Sequence, residues 1–576
     1  MVQLLVASAS PVLSCRMNIR ALGFPFLFLF SSIHAQSFDW AFSLDGQGAR
    51  GMAMVTDEAG NVYVCGNVNG IADFDPGPDE VLNVSAGING DNFLAKYGPS
   101  GNYIWHLCVG GSGTEIPKGL ALDHNGDLVM VGRFDSFFDW DPGMGDTSFG
   151  SVGSTDGFIA KYDTSGAFIW ATHIGGGGSD ETFGVAVDED NAIYVTGWMS
   201  GTVDFDNGPN SATLVHEGGT WDAYCAKYDV DGQFVWTRGI QGTGSQRGMS
   251  IAYQGGHVFA YGVFGGDTHA ENAVATSAQN NAQSYLCKMD LEGHVLWLRG
   301  HGGTGNEAAE AIRADATNLY IMGAYYGVTD ADPGPGVIEL QPNTNGGNNY
   351  FAKLDTAGNA LWAHGVQANN HFDGVCDIAY DNEGNTYVTS AYSEVQDFDP
   401  GPGGSILPMT IANDLYLAKY DTDGGFVWAR SIATVGVFDT ANGLATDLFG
   451  NVYVTGSFGD TAVFNTTAPT DTLTGTSFTG FVAKYGTDIN TGSPEHLATP
   501  EMSVFPNPTS EQITIRLPNG TIAERMLLTD ATGRILQRWA APVPRQFSTT
   551  RLPAGTYHVH VWSGGQRTST GFVVLH

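Results

Sequence analysis

Gly119-Leu-Ala-Leu-Asp-His-Asn-Gly-Asp-Leu-Val-Met-Val131 and, after a gap, Phe158-Ile-Ala-Lys-Tyr-Asp-Thr-Ser-Gly-Ala-Phe-Ile-Trp170 decide the fold. Each stretch holds two short apolar runs around an Asp-x-x-Gly. Asp opens a turn through its side chain, and Gly supplies the positive φ that ends it. Together they describe four antiparallel strands in a meander. The same Asp-x-x-Gly stands at Asp57–Gly60, Asp229–Gly232, Asp355–Gly358, Asp381–Gly384, Asp421–Gly424 and Asp447–Gly450.

Working outward, the stretch repeats. Trp40, Trp105, Trp170, Trp236, Trp297, Trp362 and Trp428 are spaced 65, 65, 66, 61, 65 and 66 residues apart. Lys96, Lys161, Lys227, Lys288, Lys353, Lys419 and Lys484 keep the same period, and pieces of the Tyr-Val-Thr-Gly type at Tyr63 (with Cys65 for Thr), Tyr194 and Tyr453 fall in step with them. A period of this length marks an array of identical supersecondary units. The strands are apolar at both parities, as in Val62-Tyr63-Val64-Cys65, so both faces of each sheet are covered. Seven four-stranded sheets stacked about an axis satisfy this, and the expected fold is all-β: a seven-bladed β-propeller. An open solenoid would need polar caps at its ends. Here the ends are complementary. The chain starts with a lone Trp-type strand, Phe38 to Leu44, and the last unit stops after Phe481-Val-Ala-Lys-Tyr485 without one. The first strand is expected to complete the last sheet.

These repeats resemble the seven-bladed β-propeller (SBBP) repeat of bacterial extracellular proteins, over residues 38–486. The resemblance implies a fold and an extracellular setting but no reaction, since propellers host many functions. The fourth unit departs most: Gln254-Gly-Gly-His257 replaces the Asp turn.

Composition agrees with strands and tight turns. Gly is 79 of 576 residues, nearly twice the usual ~7%. There are 60 acidic and 24 basic residues, for a net charge of −36. Residues 499–576 carry +3 and residues 1–36 carry +2, so the middle holds −41. Such an acid excess argues against nucleic acid, whose affinity comes from Lys and Arg on phosphate, and against an anionic membrane surface.

Met17-Asn-Ile-Arg20, the apolar run Ala21 to Phe30 and the small residue Ala35 have the layout of a signal peptide over 1–35, with Met17 as an alternative start. The apolar run is shorter than the ~20 residues a membrane span needs, and no transmembrane segment is expected elsewhere. Five Cys remain after it: Cys65, Cys108, Cys225, Cys287 and Cys376. They are dispersed and odd in number, so they read as small buried hydrophobes rather than a disulfide or zinc framework.

Residues 487–500 are polar and rich in Gly, Ser, Thr and Pro, as a linker is. Beyond them, 501–576 hold short alternating strands that suggest a small immunoglobulin-like β-sandwich. The order of pieces there resembles the type A C-terminal sorting domain of type IX secretion in Bacteroidota. The matching residues are Pro506, Asn507 and Pro508 after Phe505, Gly533 after Asp530, and Leu552, Gly555 and Tyr557. The resemblance implies passage through the periplasm and the outer membrane by the type IX machinery. It also implies removal of the domain, and release or attachment to surface lipopolysaccharide. Gly571 stands before Phe572 where many members carry Lys.

Three groups of residues are candidates for chemistry. The first is a paired-Asp loop, Asp73-Phe-Asp75-Pro-Gly-Pro, recurring at Asp139/Asp141, Asp204/Asp206, Asp330/Asp332 and Asp397/Asp399. Alternate residues of an extended chain share a face about 7 Å apart, and two hard carboxylates beside a turn could hold Ca²⁺. The competing reading is a structural loop with the aromatic inward and the Asp side chains capping the turn. Five copies argue against one glycosidase carboxylate pair.

The second group is a set of acids eight residues before each inner hairpin turn: Glu115, Asp180, Glu307, Asp373 and Asp439, with Ala49 and Gln246 as exceptions. They are expected to ring one mouth of the central channel, or else to bind the backbone amides of the blade crossing. The third is the Gly265-Gly-Asp-Thr-His-Ala270 segment of the irregular fourth unit. The Gly-rich runs at 110–113, 175–178 and 302–305 lack the Lys of a phosphate loop, and no nucleophile elbow is present. The expected function is a secreted or cell-surface binding or adhesion protein for an unknown extracellular ligand. An extracellular polysaccharide hydrolase or lyase and a purely structural surface component are the alternatives.

Overall fold

The computed structural model describes residues 36–487 and 503–575, apart from short stretches at 47, 87–89, 278–280, 343–346, 368–375, 394, 402, 409–412, 437–438, 466–470, 477, 506–508, 510, 518–522, 524, 531–534 and 564–565. The signal-peptide and linker segments therefore lie outside the described residues. So do Asp373, Pro506, Asn507, Pro508 and Gly533.

The described residues hold strands and no helix. Seven antiparallel groups of four strands are present among them. The first comprises Arg50–Thr56, Val62–Val68, Asp91–Tyr97 and Tyr103–Val109, joined in chain order. The first strands of successive groups pack against one another, and that of the last group, Thr440–Thr446, packs against Arg50–Thr56. The sheets therefore close into a ring, and the fold is a β-propeller. The chain's first strand, Gln36–Gly46, pairs with Thr479–Thr487 and sets Trp40 opposite Lys484 and Phe42 opposite Val482. The last sheet is thus completed by the N-terminal strand, and the seam is dry. Val62, Phe93 and Tyr97 share a core with Tyr453 and Val482 across it.

The repeated markers have one physical meaning. In every sheet the marker Lys and Trp are cross-strand partners, as Lys161 with Trp170 and Lys227 with Trp236. In four of the sheets both reach the outer turn of the next sheet and donate to one carbonyl. The Val230 oxygen accepts from Trp170 Nε1 at 3.1 Å and Lys161 Nζ at 3.5 Å. The Leu291 oxygen accepts from Trp236 at 2.9 Å and Lys227 at 3.3 Å. At the seam, the Pro99 oxygen accepts from Trp40 at 3.3 Å and Lys484 at 3.1 Å. The turn Gly lies flat under the indole. At Gly232, with φ +77°, a Cβ would come within 2.8 Å of the Trp170 ring. Trp428 is the informative exception, because its buried Nε1 has no partner. The third and fourth strands of the last sheet come from opposite ends of the chain, so no outer hairpin exists there to offer a carbonyl.

Cys65, Cys225, Cys287 and Cys376 are buried, Cys108 is half-buried, and all are free thiols. Burial pushes the thiols of Cys65 and Cys225 up to about 12, so they pack as hydrophobes and do not react as thiolates.

Residues 503–575 form two antiparallel sheets. Ile513 and Ile515 from one meet Met526, Leu528, Val559, Val561, Phe572 and Val574 from the other in a single core. The alternation of these residues matches the pleat of half-buried strands. Tyr557 is buried and donates to the Pro553 carbonyl at 2.8 Å, while Leu552 packs on the core rim and Gly555 opens the strand Gly555–Ser563.

Candidate functional site

The paired-Asp loops are built alike. Asp73 Oδ1 accepts from the backbone N–H of Asp75 at 3.1 Å and of Val81 at 2.9 Å, and Asp75 Oδ1 accepts from Gly77 N–H at 2.8 Å. Asp139 and Asp141 make the same contacts to Asp141, Thr147 and Gly143. Asp204 and Asp206 repeat them, as do Asp330 with Asp332 and Asp397 with Asp399. The residue between the acids, Phe74, Trp140, Phe205, Ala331 or Phe398, is buried. In four loops its carbonyl accepts from the Tyr of the Lys-Tyr marker, as Phe74 does from Tyr97 at 3.1 Å. This is the capping arrangement that orders a turn through an Asp side chain. Ca²⁺ takes six to eight oxygen ligands, and two carboxylates that each spend an oxygen on backbone N–H do not make that set. Among the described residues, three metal-capable side chains meet only at Asp290, Glu292 and His294, on an exposed outer hairpin. There Asp290 Oδ1 already caps Glu292 and His294.

Of the two readings of the acids before the inner turns, the contacts of the described ones match the binding of backbone amides at the crossings. Glu115, Asp180, Glu307 and Asp439 are at most 3% exposed. They lie beneath the crossings between sheets, whose backbone offers donors, and Glu307 also borders a cleft between the fourth and fifth sheets. Glu115 accepts from Gly111 N–H at 3.2 Å and Ser136 Oγ at 2.5 Å. Asp180 accepts from Gly176 and Ser200 N–H at 3.0 and 2.8 Å. Glu307 accepts from Gly303 N–H at 2.8 Å and Thr329 Oγ1 at 3.1 Å, and Asp439 from Gly459 N–H at 2.7 Å. Each also sits beside a residue at the head of its neighbour sheet's third strand. The Glu115 N–H donates to the carbonyl of Gly90, next to Asp91, and the Asp180 N–H to that of Thr155, next to Asp156. Burial pushes the carboxyls of Glu115, Asp180 and Glu307 up to about 7 against the pull of these donors, and Asp91 and Asp156 add to the rise for the first two.

What the structure brings together is a group that the sequence reading missed. Six of the seven described inner strands carry a β-bulge near their start, and one residue is left out of each ladder: Met52, Lys118, Phe183, Met249, Glu310 and Asn442. A bulge re-aims a side chain out of the sheet. Adjacent bulges touch. Lys118 Nζ lies 5.0 Å from the centre of the Phe183 ring, and Asn442 Nδ2 donates to the Gly51 carbonyl at 2.8 Å beside Met52. The inner strands approach so closely that a Cβ at Gly184 would stand 2.9 Å from Ser250 Cα in the next sheet. The scaffold around this ring repeats, but the ring does not. It presents a thioether, an ammonium, a phenyl, a second thioether, a carboxylate and a carboxamide. The available signal was the one position in each unit where the repeat fails.

A cleft of about 200 Å³ borders the ring between the fourth and fifth sheets, lined by Arg247, Met249, Val263, Asn306, Glu310 and Tyr326 among others. Arg247 lies over the Trp221 ring at 5.3 Å, and Trp221 contacts Trp198 at 5.1 Å. The irregular Gly265–Ala270 segment lies beside the outer strand of the third sheet, where Thr268 and His269 pair with Gly242 and Gln241. It forms a short ribbon, Asp267–Ala270 with Ala273–Thr276, without the paired-Asp loop.

Comparison with known proteins bears on both ends of this arrangement. Residues 503–575 match the secretion system C-terminal sorting domain. That domain indicates export to the cell surface or the extracellular space and implies engagement of the secretion machinery. Residues 427–457 match the β-propeller repeat called SBBP. The chain is 24% identical over 537 residues to an uncharacterized WD repeat-containing protein of Acanthamoeba polyphaga mimivirus, covering 76% of this chain and 37% of the other. It is 25% identical over 178 residues to the regulatory protein FlaEY of Caulobacter vibrioides, covering 31% of this chain and 18% of that one. The chain thus spans well under half of either relative. Among solved structures, it is similar to the Neurospora crassa Pan2 WD40 domain (9% identity, TM-score 0.37, 78% of this chain and 95% of that one). It is also similar to a protein of unknown function from Dyadobacter fermentans (10% identity, TM-score 0.33, 78% and 99%). No helix among the described residues is long and apolar enough to cross a membrane.

Proposed function

We propose that this chain is an extracellular or surface-attached binding or adhesion protein that takes its ligand on the bulge ring. The sorting domain delivers the propeller to the cell surface or beyond it. A signal peptide over 1–35 and attachment to surface lipopolysaccharide complete the reading. The observation that carries it is the contrast between a repeated scaffold and five different residue types at six equivalent bulges. Loops and bulges held by a rigid frame are where binding residues concentrate.

Hydrolysis has less support. The cleft holds Glu307 with its raised pKa beside Glu310, which would suit a general acid and a second carboxylate. However, the same rise occurs at Glu115 and Asp180, away from the cleft. It therefore belongs to the crossings and not to a catalytic site. Screening the purified protein on a glycan array, alongside Lys118→Ala and Glu310→Ala variants, tests the reading. Ligands retained by both variants at full strength would contradict it.

A further inference from the structure

We propose that the sorting domain docks in cis on the propeller's inner turns, and that this interface holds the domain noncovalently when the linker is cut. The first observation is the burial of a face that a free β-sandwich turns to water. In the strands Arg525–Asp530 and Gly555–Ser563, Met526, Leu528, Val559 and Val561 point into the domain's core. By the pleat, Arg525, Leu527, Thr529, His560 and Trp562 lie on the opposite face. The register sets Arg525 beside Trp562 and Leu527 beside His560. Yet Leu527, Thr529 and Trp562 are 8%, 2% and 4% exposed.

Trp562 is covered by the inner turn Asp447-Leu-Phe-Gly450 of the last sheet. The Phe449 ring stacks on it, with centres 5.6 Å apart and planes 13° from parallel. The Arg525 guanidinium lies 4.2 Å from the centre of the same indole and donates to the Leu448 carbonyl at 3.2 Å. Arg538, opposite Leu527 in the neighbouring strand, pairs with Glu58 in the inner turn of the first sheet. The interface therefore straddles the seam of the ring. There Phe449 lies against Gly60, where a Cβ would stand 3.1 Å from its ring.

Two features of the sequence fit this partner. The six other inner turns hold polar or small residues at their tips, as Glu58-Ala59, Glu189-Asp190 and Asn382-Glu383 do, and Leu448-Phe449 is the exception. An apolar tip among polar ones marks a contact surface. The charges are also complementary: residues 499–576 carry +3 against −41 on the middle of the chain, which favours their encounter. The inner turns follow the ends of strands whose starts carry the bulges, so docking leaves the bulge ring uncovered. The inference is independent of where a ligand binds.

The test inserts a site for a sequence-specific protease between Gly492 and Ser493 and cuts the folded full chain. At low salt the sorting fragment is expected to elute with the propeller. At about 0.5 M salt, where the Debye length falls below ~10 Å, its dissociation constant is expected to rise severalfold. Phe449→Ser is expected to weaken the association about tenfold or more, the scale of an aromatic pair with its buried area. Arg538→Glu sets like charges together and is expected to weaken it roughly threefold, and Glu58→Arg in the same chain to restore it. Asp190→Asn, on the third sheet's inner turn, is expected to change nothing, and unaltered melting shows that the variants fold. A fragment that leaves the parent propeller at low salt as soon as the linker is cut overturns the proposal. So does association indifferent to Phe449→Ser, or to both the charge reversal and salt.

Discussion

Replacing Glu115 by Gln should make the propeller more stable at pH 8 and leave it unchanged at pH 4.5. Glu115 is fully buried beneath its crossing, faces the Asp91 and Asp135 carboxylates, and has Ser136 and Gly111 as donors. Burial lifts its carboxyl from 4.5 to about 7. The folded-state pKa thus lies above the unfolded one. Between those values the folded chain keeps a proton that the unfolded chain has released. Stability is therefore full below about pH 4.5 and falls as pH rises toward 7. At 1.36 kcal/mol per pKa unit the ceiling is ~3 kcal/mol, and water near the crossing reduces this to ~1–2 kcal/mol.

The fourth sheet shows what Gln does in this place. With its amide oriented to donate, Gln246 gives a hydrogen bond to an Asp222 oxygen at 2.9 Å, so a neutral donor is tolerated there. Urea denaturation at pH 4.5, 6 and 8 measures the difference. Glu115→Gln should match the parent at pH 4.5 and exceed it by ~1–2 kcal/mol at pH 8. Parallel pH profiles for the two proteins would refute the assignment of a buried, protonated acid.

Further outcomes follow from the same structure. Deleting residues 36–45 removes the strand that pairs with Thr479–Thr487, and should expose an edge and promote aggregation; a monomeric, equally stable deletion would contradict the closure. Truncating 499–576 should retain the protein in the periplasm with the propeller's melting transition intact, and normal surface delivery would contradict the sorting role. Ca²⁺ and Mg²⁺ at equal ionic strength should raise the melting temperature equally, by screening the acidic propeller. A larger Ca²⁺ effect that disappears in Asp75→Asn with Asp399→Asn would show a metal site where the geometry gives only turn caps. Trp170→Phe should cost ~1 kcal/mol in stability by removing the donor to Val230, whereas Trp428→Phe, whose Nε1 has no partner, should cost less.

Much of this architecture is legible in the chain because its determinants are local and repeated. Asp-x-x-Gly fixes most of the hairpins, apolar runs at both parities demand stacked sheets, and the unmatched strand at Phe38–Leu44 announces the seam. The Trp and Lys periods are legible as periods, but not as a shared hold on the next sheet's turn carbonyl, since that contact spans some 60 residues. The sequence leaves two readings for the acids at 115, 180, 307 and 439, a ring at a channel mouth or hydrogen bonds to the amides of the crossing, and spacing alone does not choose between them. The glycine crossings that cover them are three-dimensional. The bulge ring was missed for a related reason. Met52, Lys118, Phe183, Met249, Glu310 and Asn442 have no residue type common to all, so recurrence along the chain does not mark them.

The central claim is that ligand binding resides on this ring and not on the acidic loops. The most direct measurement compares the parent chain on a glycan and peptide array with two variants. One combines Lys118→Ala, Glu310→Ala and Asn442→Ala, and the other combines Asp75→Asn and Asp399→Asn. The account predicts that the ring variant loses the parent's signals while the loop variant keeps them. Signals kept by the ring variant and lost by the loop variant would contradict it.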